Sequence, residues 1–514
     1  MSSLRLTTLL LSAGLALSAQ TILKTSFAPE EMKGWKLPDF AKVESHDGGN
    51  CLVIRLDKVI PGDDGRAVLP FDFSKYAGKT LRMDGEMSYE NVSKPRQSWN
   101  GTKFMMVFAT KGGQRHWKHP SGEHGTSGWK RVSVGFNVPE DALPGTIELG
   151  LQDSTGTIRF RNLAVELIDP AKVFPRLTPP DYRCEYTDRV LKEPVRRGVM
   201  STGDFSPDVI TSHLPDLKQW GANLYRWQLI RNWHARNDNQ DRDEYLNWVR
   251  GKVPGTLQVL DKAHQLGIKV VLDLHVAPGG RREGGHMNMF EQPRFAETFL
   301  DAWRILATAV KGHPALFGYD LINEPCQPFD IVACDYLTLQ YRAAQVVRAI
   351  DPDTPIIIEA KDWDAASSFD VLSPIPMKDV IYQAHMYFPG AFTHQGVGSN
   401  PKGGDLYYPN PAKGFTKEGI RNYVKAAREF QLKHGARIYV GEFSAIRWAK
   451  GAEIFLRDAI DIFEEYGWDW SYHAFREWNG WSVEHSEDPN DNKPVKHDTL
   501  RKKALLKGFA NNAK

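Results

Sequence analysis

The sequence predicts an α/β protein whose larger part is a (β/α)8 TIM barrel, preceded by an all-β, jelly-roll-like sandwich. Three observations carry this reading. First, eight strand-like runs recur at 196–201, 221–228, 268–276, 316–323, 355–361, 380–387, 436–443 and 468–475. Second, amphipathic stretches such as Thr256 to Leu266 and Tyr336 to Ile350 lie between several of them. Strands that alternate with helices build a parallel sheet, and eight units in about 310 residues suit a closed barrel. No Gly-x-Gly-x-x-Gly follows the first run, which disfavours a doubly wound sheet. Third, residues 21 to about 170 lack the alternation. They hold short runs such as 51–56, 80–83, 104–108, 132–136, 147–151 and 158–160, set apart by Gly, Pro, Asn and Asp. That spacing is the pattern of a sandwich.

The 514 residues suffice for two domains. Residues 1–19 read as an export signal: Arg5 supplies the positive start, Leu6 to Leu17 the apolar core, and Ala16-Leu17-Ser18-Ala19 the small-residue cleavage site. The apolar run is shorter than the roughly 20 residues a bilayer span needs, and no later stretch reaches that length. The expected location is therefore secreted or periplasmic, with no membrane span after processing. The sandwich covers 20–170, a Pro-rich linker 171–190, and the barrel 191–514. A formal charge of +2 with mixed signs offers no basic stripe for nucleic acid. There are four cysteines. Cys326 and Cys334 flank one short loop, where an exported protein can form a bridge. No zinc spacing occurs, so neither a metal nor an organic cofactor is implied. A monomer is expected.

In a barrel, reactive groups come from the carboxyl ends of several strands. Read in order, those ends carry Arg226, His275, Asn323, Glu324, His385, Tyr387 and Glu442. A polar side chain that ends an apolar strand is costly unless it is paired. One such residue is readily a structural hydrogen bond; seven at one end of one barrel point to chemistry. Glu324 and Glu442 form a pair of the kind that cleaves glycosidic bonds. The loop Pro278-Gly279-Gly280-Arg281 matches no phosphate-binding fingerprint and reads as a flexible cleft wall.

Leu321-Ile322-Asn323-Glu324-Pro325, His385-Met386-Tyr387 and Gly441-Glu442-Phe443 resemble the motifs of glycoside hydrolase family 5, the retaining β-glycanases. The resemblance spans roughly residues 190 to 485 and includes Arg226 and His275 at the second and third strand ends. It implies that Glu324 is the acid/base and Glu442 the nucleophile, with the two carboxyl groups about 5–5.5 Å apart. Asn323 is then placed for the sugar 2-hydroxyl, Arg226 and Tyr387 for donation to Glu442, and His275 and His385 for hydroxyls or support. The family places a tryptophan near the end of strand eight, where this chain has His473. Trp478 is the substitute platform, and Glu477 either binds a hydroxyl or pairs with Arg476. The implied substrate is a β-1,4-linked polysaccharide of cellulose type. Mannan, xyloglucan and exo-acting cleavage are alternatives, as are transglycosylation and a catalytically silent carbohydrate-binding protein. Trp99, Trp117 and Trp129 are candidate glycan platforms of the sandwich. Trp227, Trp233, Phe290, Trp363, Phe388, Tyr407 and Tyr408 are candidates for the outer cleft, about half of them expected to be packing residues.

Overall fold

The computed structural model describes residues 20–513, apart from 47, 61–64, 98–99, 112–114, 121, 170–173, 175, 202–205, 232–238, 282–284, 328–333 and 399. The export signal and the candidates Trp99 and Trp233 lie outside the described residues. The chain divides into two compact units, Met1–Pro175 and Arg176–Lys514.

The first unit holds two antiparallel sheets. One runs Ala41–His46, Gly49–Leu56, Gly156–Ile168, Thr80–Val92 and Gly125–Asn137, with Gln20–Thr25 also paired to Gly156–Ile168. The other runs Arg66–Phe71, Gly145–Gln152, Gly101–Ala109 and Arg115–Lys118. Ile54, Met83 and Phe160 from the first sheet meet Phe104, Phe108 and Leu149 from the second in one apolar core. All six predicted runs are strands here. The four that the sequence reading missed (20–25, 41–46, 66–71 and 115–118) are edge strands. An edge strand tolerates polar residues and proline, such as Pro70, so its apolar alternation fades. Trp117 stands 52% exposed on one of these edges, whereas Trp129 is half-buried beneath the Arg161 guanidinium.

The second unit is a closed parallel barrel: β1 Arg197–Ser201, β2 Leu224–Gln228, β3 Lys269–Asp273, β4 Leu316–Asp320, β5 Ile356–Glu359, β6 Val380–Met386, β7 Arg437–Phe443 and β8 Asp469–Tyr472, with β8 pairing back to β1. Each predicted run contains one of these strands. The Tyr336–Ile350 helix is as expected. The predicted Thr256–Leu266 helix is the second half of Arg242–Leu266, which continues through Pro254. Its start is capped by Asp241, whose side chain accepts from Glu244 N, and Gly267 ends it at φ +68°.

Two expectations are corrected. The stretch read as a linker up to residue 190 belongs to the barrel unit from Arg176 on. Cys184 N donates to His434 O, Tyr186 Oη to Val380 O, and Thr187 N to Asp379, so this segment is bonded beneath the barrel. Its prolines mark an irregular path rather than a free one. Cys326 and Cys334 are not bridged. Cys326 is buried, and burial pushes its thiol up to about 12; Cys334 lies instead beside Arg342.

The barrel interior changes character along its axis. Leu224, Val271, Phe317, Ile357, Ile381 and Tyr439 form one apolar cluster. Two or three residues further along β2, β3, β4, β5 and β7, the buried positions are charged: Arg226, Asp273, Asp320, Glu359 and Glu442. That change, toward the carboxyl ends, is what positions the site.

Candidate active site

Arg226, fully buried, is the centre of the charged layer. Its Nε donates to Asp320 (2.8 Å), Nη1 to Glu442 (2.8 Å), and Nη2 to Glu359 (2.9 Å) and the Asn323 Oδ1 (3.0 Å). Asp273 lies 3.2 Å from Nη2. Four buried carboxyl groups thus share one guanidinium. Desolvation disfavours such charges, and one cation cannot neutralise four anions. Burial accordingly pushes Asp320 up to about 6, against the pull of Arg226. Burial and the neighbouring Asp364 raise Glu359 well above the carboxylate range. The sequence reading passed over Asp273, Asp320, Glu359 and Asp364. The signal was present: each ends or follows an apolar run, and a carboxylate there needs a partner.

Glu442 is shifted in the opposite direction from Asp320 and Glu359. Burial alone would raise it, but His385, His473, Arg226 and His275 together hold it well below the ordinary range. Its Oε1 takes the Arg226 bond and its Oε2 the Tyr387 hydroxyl at 2.7 Å. Burial and the Glu442 charge raise Tyr387, so it stays a donor. A register shift between β6 and β7 at Ala384/His385 sets His385 opposite Glu442. His385 Nδ1 then lies 3.0 Å from Glu324 Oε1 and 3.7 Å from Glu442 Oε2. One oxygen of Glu324 and one of Glu442 come within 4.8 Å of each other.

Glu324 sits at φ +52°, a left-handed conformation that costs roughly 1–3 kcal/mol for a non-glycine residue. Three contacts hold it there. Its N–H donates to Glu359 Oε2 (2.5 Å), and Arg281 Nη2 donates to the carbonyls of Asn323 and Glu324 (both 2.9 Å). Arg281 therefore makes its part of the glycine-rich loop a clamp on the strand-four turn, not the flexible wall expected. Arg226 also fixes the Asn323 amide. A guanidinium only donates, so Oδ1 must face it, which leaves Nδ2 as a donor without a partner among the described residues.

Asn323, Glu324, His385, Tyr387 and Glu442 line one cleft of about 830 Å³, together with His275, His394, His473, Glu477, Trp363, Trp478 and Trp481. The structure brings the eight residues predicted for the site together. Arg226 supports from below, and the other seven line the cleft. His275 Nδ1 lies 2.7 Å from Asp273, which orients its ring. Trp478 is 42% exposed on the wall, packed edge-on against Trp448 and Trp481. Glu477 does not pair with Arg476, which binds Asp216 and Glu484; it faces His473. Among the other aromatics, Trp363 lines the cleft, whereas Trp227, Phe290 and Tyr408 are buried in packing. His394 and Trp481 went unpredicted as site residues because both lie on loops, beyond any strand pattern.

Asp364 gives a stability test. It is fully buried, its Oδ1 accepts from Ala360 N, and burial raises its carboxyl well above 3.8. A raised acid binds its proton in the folded state, so it costs stability as pH climbs above the unfolded value of about 4. Asp364→Asn keeps the shape and removes this cost. Urea unfolding should show the variant gaining on the parent between pH 5 and pH 8. An equal loss at both pH values would contradict a protonated Asp364.

A closed barrel with two carboxyl groups this close, in unlike environments, defines a retaining glycoside hydrolase. The family model "Cellulase (glycosyl hydrolase family 5)" matches residues 192–482, and the chain belongs to that family. Endoglucanase C of Acetivibrio thermocellus is 29% identical over 243 residues, which cover 41% of this chain and 69% of the relative. Cellodextrinase A of Ruminococcus flavefaciens is 24% identical over 263 residues, 48% of this chain and 74% of the relative. A crystal structure of a glycoside hydrolase shares the fold at a TM-score of 0.50 and 23% identity, covering 62% of this chain and 99% of its own. Among the described residues no helix is long and apolar enough to cross a membrane.

Proposed function

We propose that the chain is an exported, monomeric endo-β-1,4-glucanase that works by double displacement, with Glu442 as nucleophile and Glu324 as acid/base. The carrying observation is the contrast between two neighbouring carboxyl groups. Glu442 is held ionised by Arg226, Tyr387 and the surrounding histidines. Glu324 has a side-chain hydrogen bond to His385 alone among the described residues and faces the cleft.

In the first step a Glu442 oxygen attacks the anomeric carbon. The bond to the leaving sugar breaks as Glu324 gives its proton to the departing oxygen. Glu324, now a carboxylate, takes a proton from water. The water oxygen attacks the same carbon and expels Glu442 with its charge restored. Asn323 Nδ2 is the donor for the 2-hydroxyl, a contact that strengthens as charge develops on the ring. Trp478 and Trp363 offer aromatic faces on the cleft walls for sugars on either side of the cleaved bond.

The endoglucanase and cellodextrinase names of the relatives support a glucan backbone. The exposed Trp117 supports glycan contact by the first unit. The test is reducing-sugar release by protein recovered from the medium or periplasm, on soluble β-1,4-glucan, mannan, xylan and xyloglucan. The glucan should be cleaved fastest, with the β configuration retained in the first products. Faster cleavage of mannan or xyloglucan overturns the substrate; an α product overturns the mechanism. Deleting residues 20–170 should lower the rate on insoluble glucan more than on soluble glucan, because tethering raises local substrate concentration. Equal losses would remove the binding role.

A further inference from the structure

His473 follows β8 directly, where the family resemblance implies a tryptophan, and its ring nitrogens face Tyr387 and Glu477. We propose that His473 is a positioning residue for Glu442, acting as an imidazolium through Tyr387 and held in that state by Glu477. The inference rests on the reading of Glu442 as nucleophile.

The Tyr387 hydroxyl has one proton. Glu442 Oε2 takes it at 2.7 Å, since that carboxylate can only accept. His473 Nδ1 lies 2.6 Å from the same hydroxyl oxygen. With the hydroxyl proton already committed, Nδ1 must be the donor. The other ring nitrogen, Nε2, faces Glu477 Oε1 at 3.3 Å. A neutral ring protonated at Nδ1 would turn its lone pair on a carboxylate oxygen. An ordinary imidazole holds a proton more tightly than an ordinary carboxylate. The arrangement is therefore satisfied by protons on both nitrogens. The result is a chain between two carboxylates in which the His473 imidazolium donates both ways, from Nε2 to Glu477 and from Nδ1 to the Tyr387 oxygen, and Tyr387 donates onward to Glu442.

The surroundings agree. The His473 side chain is only 13% exposed, and Trp481 lies beside it with ring centres 5.4 Å apart. The charged and titratable groups that face it are Glu477 on its own loop, Glu442 on β7 at 3.9 Å, Glu324 after β4, and Tyr387 and His394 after β6. Burial opposes the charge, but Glu477, Glu442 and Glu324 together raise the ring above its ordinary value. Burial and the His473 charge lower His394.

The chain serves both chemical steps. Before attack, it fixes the Tyr387 proton on Glu442 and keeps that carboxylate ionised and aimed. After attack, the His473–Glu477 pair stays neutral as a unit, so loss of the Glu442 charge leaves no uncompensated cation there. When water attacks, the same donor receives the returning carboxylate. Loss of the His473 proton at higher pH frees Tyr387 to turn away, and the rate falls.

The first measurement is nitrogen NMR of the parent protein labelled at histidine, at pH 6, with the His473 signals identified by their loss in His473→Gln. Both ring nitrogens should carry protons. A ring deprotonated at Nε2 overturns the proposal. The second is the pH profile of Glu477→Gln. Removing the facing carboxylate lowers the proton affinity of His473, so the alkaline fall of kcat/KM should move to lower pH by about one unit. KM at the pH optimum should change less than kcat. An unmoved alkaline limb overturns the positioning role. The NMR result stands even where Glu477→Gln fails to fold. It is also independent of Glu442→Ala, whose turnover tests the nucleophile assignment itself.

Discussion

Glu442→Ala should lower turnover of the polysaccharide by at least about 10⁴-fold, as expected when a covalent nucleophile is removed from a site whose other parts remain. That factor is about 5.5 kcal/mol of lost transition-state stabilisation. The variant should still fold. Arg226 keeps Asp273, Asp320 and Glu359 as partners, and the layer loses an anion from a place that already holds too many. Comparable melting temperatures would establish this. The space vacated by the carboxylate lies on the α face of a β-linked sugar. Azide can enter it, attack the anomeric carbon of an activated aryl β-glycoside, and displace the phenolate. The product should be an α-glycosyl azide, with partial recovery of rate. Unchanged turnover of the variant would remove Glu442 as the nucleophile.

The barrel was legible because its strands are buried on both faces. Runs such as 316–319 and 438–441 stand out from amphipathic helices by their unbroken apolar character. The residues that touch substrate in the proposed mechanism were legible for the same reason. Asn323, Glu324, His385 and Glu442 end those runs, where polarity changes abruptly. The support layer was harder to read. Asp273, Asp320 and Glu359 lie on neighbouring strands and converge only because the barrel closes, so no sequence spacing relates them to Arg226. The Arg281 clamp was hidden likewise: glycines at 279 and 280 suggest looseness, but the arginine beside them reaches two carbonyls more than forty positions away. The first unit was read through its central strands and the Gly125–Asn137 edge, and its four other edge strands were lost. His473 was legible as an oddity in the strand-eight run. Its partner was not, because the sequence offered Glu477 either a sugar hydroxyl or the adjacent Arg476, whereas Arg476 (φ +52°) pairs with Asp216 and Glu484 and leaves Glu477 to the cleft.

Glu324→Ala should separate the two chemical steps, which gives it a different signature from loss of the nucleophile. On polysaccharide the leaving sugar is a poor leaving group and needs its proton, so turnover should fall by roughly 10²–10⁴-fold. On a dinitrophenyl β-glycoside the leaving group departs unaided, and Glu442 still attacks. The glycosyl ester then accumulates, because no base activates water, and rapid mixing should show a burst of one phenolate per site followed by slow release. Azide needs no base. It should enter on the β face, where Glu324 stood, and speed the slow phase. The product should be a β-glycosyl azide, opposite in configuration to that from Glu442→Ala. The pair of products assigns the two carboxyl groups to opposite faces of the sugar without reference to any bound structure. The fold should survive, since Arg281 and Glu359 hold residue 324 through its backbone. An α-glycosyl azide from Glu324→Ala would exchange the two roles, and a full loss of the burst would place Glu324 in the first step for every substrate.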